Sequence, residues 1–197
     1  MSFLLVTGNL DKAVEAERIL GYRPEIESLD LPEIQSLDLE EVLLAKARTA
    51  WRELCSEGRR TPVVVEETGL ELSALNGFPG PLVKWMLEAV GAEGVARTGL
   101  SLGDPGVAAV CALAYYEGPG ARLEGEEIVH VAFGRTEGAL TLPARGEHGF
   151  GWDPVFVPEG ETRTYAELAP EEKDEIGHRG RAWRRFREVL RQAGRLE

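Results

Sequence analysis

Pro62-Val63-Val64-Val65-Glu66-Glu67-Thr68-Gly69-Leu70-Glu71-Leu72 sets a run of β-branched residues against two adjacent acids and a glycine. Continuous rather than alternating valine marks a strand covered on both faces, so Val63 to Val65 predict a short central strand of a layered α/β sheet. Side chains alternate across a strand, which sends Glu66 and Glu67 to opposite faces; one can aim at a ligand while the other supports or caps. Gly69 lets the backbone turn or a ligand come close, and Asn76-Gly77-Phe78-Pro79-Gly80-Pro81 adds a second tight turn. Chemistry is expected at the edge formed by the two acids, although the stretch alone also reads as a strand ending in a solvated acidic turn.

Working outward, a chain of 197 residues is long enough for one well-buried domain, and a single domain over residues 1–197 is expected. No apolar run approaches the roughly 20 residues that cross a membrane. Met1 to Thr7 lack a basic segment and read as the approach to a first strand rather than a signal peptide, which predicts a cytoplasmic protein. Cys55 and Cys111 have no metal-ligand spacing and read as core thiols. A net charge of −12 opposes binding to nucleic acid, which relies on Lys and Arg neutralising phosphates. A small polyanion remains open as a partner if cations gather locally, or if metal ions stand between carboxylates and phosphates.

Phe3 to Val6 predict a first strand, and Thr7-Gly8-Asn9 turn into a helix over Asp11 to Leu20 that Gly21 ends. Such a turn presents free backbone N–H groups to an anion, and Lys12 is a cation where the helix dipole disfavours one unless an anion is bound. By itself the turn is also an ordinary strand-to-helix connection. Glu25 to Leu31 predict a second strand ending at Pro32, which places Glu33 at a strand end. Asp38 followed by Glu41 resembles a capping pattern for a long amphipathic helix up to Gly58, on which Lys46 alone reads as a solvated lysine. Pro81 to Val90 predict a short helix carrying Lys84 and Trp85. Val107 to Tyr116 and Glu127 to Arg135 predict antiparallel neighbours, with His130 structural. In Gly149-Phe150-Gly151-Trp152-Asp153-Pro154 the glycines free the backbone while Phe150 and Trp152 can stack on a planar ring such as a purine, and the proline fixes Asp153. The same segment reads equally as a turn with two core aromatics. Lys173, His178 and Arg179 lie before the last helix, flanked by glycines, where a ligand could approach; the arginines of that helix form a solvated face.

Four segments in this order resemble the inosine triphosphate pyrophosphatase family, across nearly the whole chain. They are Thr7-Gly8-Asn9 with Lys12; Val65-Glu66-Glu67-Thr68 through Gly77-Phe78-Pro79-Gly80-Pro81-Leu82-Val83-Lys84-Trp85; Phe150-Gly151-Trp152-Asp153-Pro154; and Glu172-Lys173 with His178-Arg179. Leu31-Pro32-Glu33-Ile34-Gln35 is similar to the acidic metal-binding corner of the family's eukaryotic members. The resemblance implies an elongated mixed α/β sheet flanked by helices, a cleft between two lobes, a homodimer, Mg²⁺, and hydrolysis of ITP, dITP or XTP to the monophosphate and pyrophosphate, which cleanses the nucleotide pool. It also implies roles. Thr7, Gly8, Asn9, Leu10, Asp11 and Lys12 cradle phosphates, Lys46, Thr68, Lys84 and Lys173 approach the nucleotide, and Glu33 and Glu67 hold metal, with Glu67 the general base. Phe150, Gly151, Trp152 and Asp153 with His178 and Arg179 enclose and read the base. The chain departs from the family in carrying Glu67 where members usually carry Asp, which bears on the metal's reach and on the base. Two other readings stay open: a pyrophosphatase of pyrimidine or methylated nucleotides on a related fold, and a nucleotide-binding protein without turnover.

Overall fold

The computed structural model describes residues 3–119 and 127–195. In chain order the elements are β1 (Leu4–Val6), α1 (Leu10–Leu20), β2 (Glu25–Glu27), α2 (Leu39–Ser56), β3 (Val63–Leu72), β4 (Pro79–Gly80), α3 (Val83–Ser101), β5 (Gly106–Pro119), β6 (Glu127–Leu140), β7 (Phe156–Pro158), α4 (Pro170–Ile176) and α5 (His178–Gln192). The strands form a mixed sheet in the order β2-β1-β3-β5-β6-β7, with β4 on β3. β1 runs parallel to both β2 and β3, and the remaining pairs are antiparallel.

Val63, Val64 and Val65 are fully buried, as continuous valine predicts. Val64 packs with Leu5, Leu113 and Tyr115 under Trp183 and Phe186 of α5, while Val63 and Val65 pack under Leu43, Ala47 and Leu54 of α2. A third packing centre joins Leu70 and Leu72 to Val83, Val95 and Phe156 around α3.

The strand does not stop at the acids. β3 continues to Leu72 because β5 pairs with it antiparallel along its whole length, from Val63 opposite Tyr116 to Leu72 opposite Val107. Glu66 and Glu67 are therefore mid-strand. Gly69 makes no turn; a Cβ there would stand 2.9 Å from the carbonyl carbon of Gly80, so glycine lets β4 approach. The second strand is shorter than expected: β2 ends at Glu27 because β1 has only Leu4 to Val6 to pair with it, which leaves Glu33 on a segment without regular structure.

The starts of α1 and α2 are capped by side chains, the second by Asp38 as the sequence suggests. Asn9 Oδ1 accepts from the Lys12 N–H at 3.1 Å, and Asp38 Oδ1 accepts from Glu40 and Glu41. Glu41 does not close a reciprocal box, since its side chain takes the Ser36 hydroxyl instead. Gly21 ends α1 at φ 76°. α3 breaks at Gly91 (φ 69°), where the expected helix ends, and a second helical segment follows that the sparse pattern there does not signal. No helix among the described residues is long and apolar enough to cross a membrane. Cys111 is buried in the core as expected, and Cys55 is half-buried on α2.

Gly134 on β6 lets α5 lie directly on the sheet. A methyl there would fall 2.1 Å from the His178 carbonyl oxygen and 2.3 Å from the Ala182 nitrogen. Both are helix backbone, so no side chain can rotate away. Gly134→Ala is expected to lower stability by about 1–3 kcal/mol, the usual cost of overpacking, read from the urea midpoint; an unchanged midpoint would contradict this packing.

Candidate active site

A cavity of about 470 Å³ opens between the packing centre under α2 and the one around α3. Thr7, Gly8, Asn9 and Lys12 form one wall, at the turn from β1 into α1. That turn is held locally, with the Asn9 N–H donating to Thr7 Oγ1 at 3.1 Å and the Asn9 side chain capping Lys12. The first-turn N–H groups of Leu10 and Asp11 precede any intrahelical acceptor and remain available to an anion. The side chains of these two residues lie elsewhere, Leu10 exposed and Asp11 lining a smaller neighbouring cavity.

The opposite wall comes from Val42 and Lys46 of α2, Glu67 and Thr68 of β3, Glu33, and the start of α3 with Lys84 and Trp85. Lys46 Nζ lies 2.6 Å from Glu67 Oε1 and 3.8 Å from Glu33 Oε1, and Lys84 Nζ lies 3.4 Å from Glu33 Oε2. Two carboxylates thus share one ammonium, which shows that both can neutralise a positive charge at the same place. No group of three or more His, Cys, Asp or Glu side chains suited to a metal occurs among the described residues. A donor set of two carboxylates fits a hard divalent cation that keeps its waters and takes phosphate oxygens, as Mg²⁺ does, rather than one caged wholly by protein.

Phe150, Gly151 and Trp152 close the third side. Gly149 and Gly151 have φ of 74° and 62°, the left-handed region where glycine is favoured, so the freedom expected of them is used. Asp153 is held by more than the proline after it: its Oδ2 accepts from the Phe150 N–H at 2.8 Å and from Lys173 Nζ at 2.7 Å.

The structure corrects the expected placement of Lys173, His178 and Arg179. His178 and Arg179 do not precede the last helix as an open turn. Lys173 lies within α4, and His178 and Arg179 are the first two residues of α5. All three are buried, and none lines the larger cavity. The physical reason is charge pairing. Lys173 Nζ donates to Glu15 at 2.8 Å as well as to Asp153, while Arg179 donates to Glu66 at 3.0 Å and also to Glu15. The network reaches the larger cavity through Lys12, 3.5 Å from Glu66. Burial alone would lower the Arg179 pKa, but Glu66 and Glu15 outweigh it and hold the pKa raised. Burial likewise opposes the charge on Glu15, which Arg179 and Lys173 overcome, so its carboxyl stays below the usual range. His178 is held neutral, its pKa pushed well down by burial and by the neighbouring Arg179 and Lys173 cations. Its ring stacks on Tyr165 at 5.8 Å.

Phe150 separates these buried groups from the larger cavity. Its ring stands 5.1 Å from Lys173 Nζ and 5.5 Å from the Arg179 guanidinium carbon. It also lines both the larger cavity and a smaller one of about 150 Å³ that Glu15 and Lys173 share.

Two acids central to this arrangement were not legible as such. Glu66 reads from sequence only as a supporting residue, and Glu15 carries no signal at all, because its burial depends on α4 and α5 arriving from the other end of the chain.

A family model described as the Ham1 family matches residues 3–189. The chain is 39% identical over 190 residues to the inosine triphosphate pyrophosphatase of Schizosaccharomyces pombe, covering 96% of this chain and 95% of that protein. It is 41% identical over 192 residues to the dITP/XTP pyrophosphatase of Methanopyrus kandleri, covering 95% of each. Among solved structures, a HAM1 protein from Coxiella burnetii aligns with a TM-score of 0.76 at 26% identity, covering 98% of this chain and 100% of that one. A nucleoside-triphosphatase / dITP/XTP pyrophosphatase from Mycobacterium abscessus aligns with a TM-score of 0.64 at 33% identity, covering 94% and 98%.

Proposed function

The chain belongs to the Ham1 family, and from that membership and the geometry of its cavity we propose that it hydrolyses the non-standard purine nucleotides ITP, dITP and XTP to the monophosphate and pyrophosphate. The observation that carries this reading is the convergence of Lys12, Lys46 and Lys84 with Glu33 and Glu67 on one cavity whose third side is Phe150 and Trp152. Several cations and helix-terminal N–H groups suit a triphosphate, two acids suit a divalent metal, and aromatic rings suit a base.

In this proposal the N-terminus of α1 and Lys12 hold phosphate oxygens, and Lys46 and Lys84 hold others from the opposite wall. Glu33 and Glu67 would hold Mg²⁺, which supplies charge neutralisation on the phosphates and acidifies a bound water. Glu67 takes the proton from the water that attacks the α-phosphorus. The bond from the α-phosphorus to its bridging oxygen breaks, and pyrophosphate leaves. A 6-keto purine offers an acceptor at O6 where adenine has a donor, so a fixed N–H or the Arg179 guanidinium selects it. Lys173, His178 and Arg179 take part in reading the base once the Phe150 ring has moved. One domain over residues 1–197, a homodimer and a cytoplasmic location complete the proposal, on the strength of the family likeness.

A panel of nucleoside triphosphates with Mg²⁺, scored for pyrophosphate against orthophosphate, tests the reading. ITP and XTP are expected to yield pyrophosphate and monophosphate, with release abolished by EDTA. Orthophosphate as the main product would reject the proposal.

A further inference from the structure

Every lysine lining the larger cavity already has a carboxylate partner. Lys46 pairs with Glu67 at 2.6 Å and Glu33 at 3.8 Å, Lys84 with Glu33 at 3.4 Å, and Lys12 with Glu66 at 3.5 Å. The lining holds three lysines and three glutamates, Glu88 being the third, and is formally neutral. Its strongest pair is also sheltered: the Lys46 and Glu67 side chains are 16% and 13% exposed. An ion pair so placed is screened less than one at the surface, and separating its members without new partners is correspondingly unfavourable.

We infer that this cavity takes a divalent metal and a triphosphate as one cooperative ligand, through an exchange of partners at Lys46. The inference rests on the function proposed above. A cation arriving alone must draw Glu67 and Glu33 away from Lys46, leaving an unpaired ammonium beside a dication. A triphosphate arriving alone must draw Lys46 and Lys84 away from the same carboxylates, leaving these beside phosphate oxygens. When both arrive, the carboxylates turn to the metal and the lysines to the phosphates, so no charge is left without a partner. Each ligand therefore strengthens the other, and by linkage the factor is the same in both directions. Lys46 holds the two carboxylates together until the metal replaces it.

Two features set this apart from a simple attraction between metal and phosphate. The coupling belongs to the protein's own ion pairs, so it weakens when Lys46 is removed. Removing Lys46 also strengthens binding of the metal alone, although the residue is a candidate phosphate ligand. Lys12 provides the control. Its loss removes the same charge, but its partner is Glu66, which turns to Arg179 on the other face of β3.

The experiment titrates Mn²⁺ alone, read by electron paramagnetic resonance of the free ion, into the parent, Lys46→Met and Lys12→Met. The titrations are repeated with a non-hydrolysable α,β-methylene analogue of ITP, whose own binding of Mn²⁺ is measured without protein and subtracted, and folding is checked by circular dichroism. In the parent the analogue is expected to tighten Mn²⁺ binding by about tenfold or more, within the usual 5- to 150-fold range of coupling between sites. Lys46→Met is expected to bind Mn²⁺ alone about tenfold more tightly than the parent and to lose most of the coupling, while Lys12→Met binds Mn²⁺ alone within about threefold of the parent. Equal effects of the two substitutions, or no effect of Lys46→Met, would overturn the inference. So would a parent that binds Mn²⁺ equally well with and without the analogue, a result that stands even if a variant fails to fold. Pyrophosphate release from ITP is scored separately, so loss of the coupling leaves the hydrolytic reading intact, and absence of release rejects that reading whatever the coupling.

Discussion

Glu67→Gln is expected to lower turnover of ITP by about 10² to 10⁴, the usual contribution of a positioned general base. The substitution keeps the side chain's size and one acceptor oxygen but removes the charge and the basic site. It also removes the closer of the two carboxylates that hold Lys46, so binding of the metal should weaken as well. Glu67→Asp retains the charge and withdraws it by one C–C bond, roughly 1.5 Å, toward the arrangement usual in the family. It is expected to keep clearly more activity than Glu67→Gln. Glu66→Gln is the informative comparison, because Glu66 lies on the opposite face of β3 and bonds Arg179. Its effect should fall on stability, with turnover per folded molecule reduced far less. Turnover by Glu67→Gln equal to the parent's, together with inactive but folded Glu66→Gln, would place the base on the wrong residue.

Arg179→Ala is expected to cost about 3–5 kcal/mol of stability, the range for breaking a buried ion pair from one side. Glu15 and Glu66 would both stay buried, with only Lys173 and Lys12 left near them. At roughly 2–4 °C per kcal/mol for a domain of this size, the melting temperature should fall by about 6–20 °C. Read from sequence, Arg179 sits in an open glycine-flanked turn, which predicts a loss of purine discrimination larger than any effect on folding. The buried position reverses that order. A double-mutant cycle with Glu66→Met separates the parts: Arg179→Met and Glu66→Met together should cost less than the sum of the singles, by about 0.5–3 kcal/mol for groups in one network. Additive costs would show that the pair is not coupled. The ratio of ITP to GTP turnover, measured on the folded fraction at low temperature, then tests whether Arg179 also reads the base.

The features legible in the chain alone are local and periodic. Continuous valine at Val63 to Val65 specified a central strand, alternation sent Glu66 and Glu67 to opposite faces, and Gly21 and Asp38 marked helix ends through caps that need only near neighbours. The order of four motifs pointed to the family, and with it to the residues that line the larger cavity, before any contact was known. Features that need two distant segments at once were set by the packing of the folded chain. The length of β3 past the acids depends on β5 lying beside it, and the early end of β2 depends on the shortness of β1. Glu15 becomes a buried acid only because Lys173 and Arg179, more than 150 residues later, arrive to neutralise it. The same pairing drew those two cations out of an apparently open turn and beneath the Phe150 ring. A charge enters a protein interior only with its partner, and the partner's position along the chain leaves no mark on the local pattern that sequence reasoning reads.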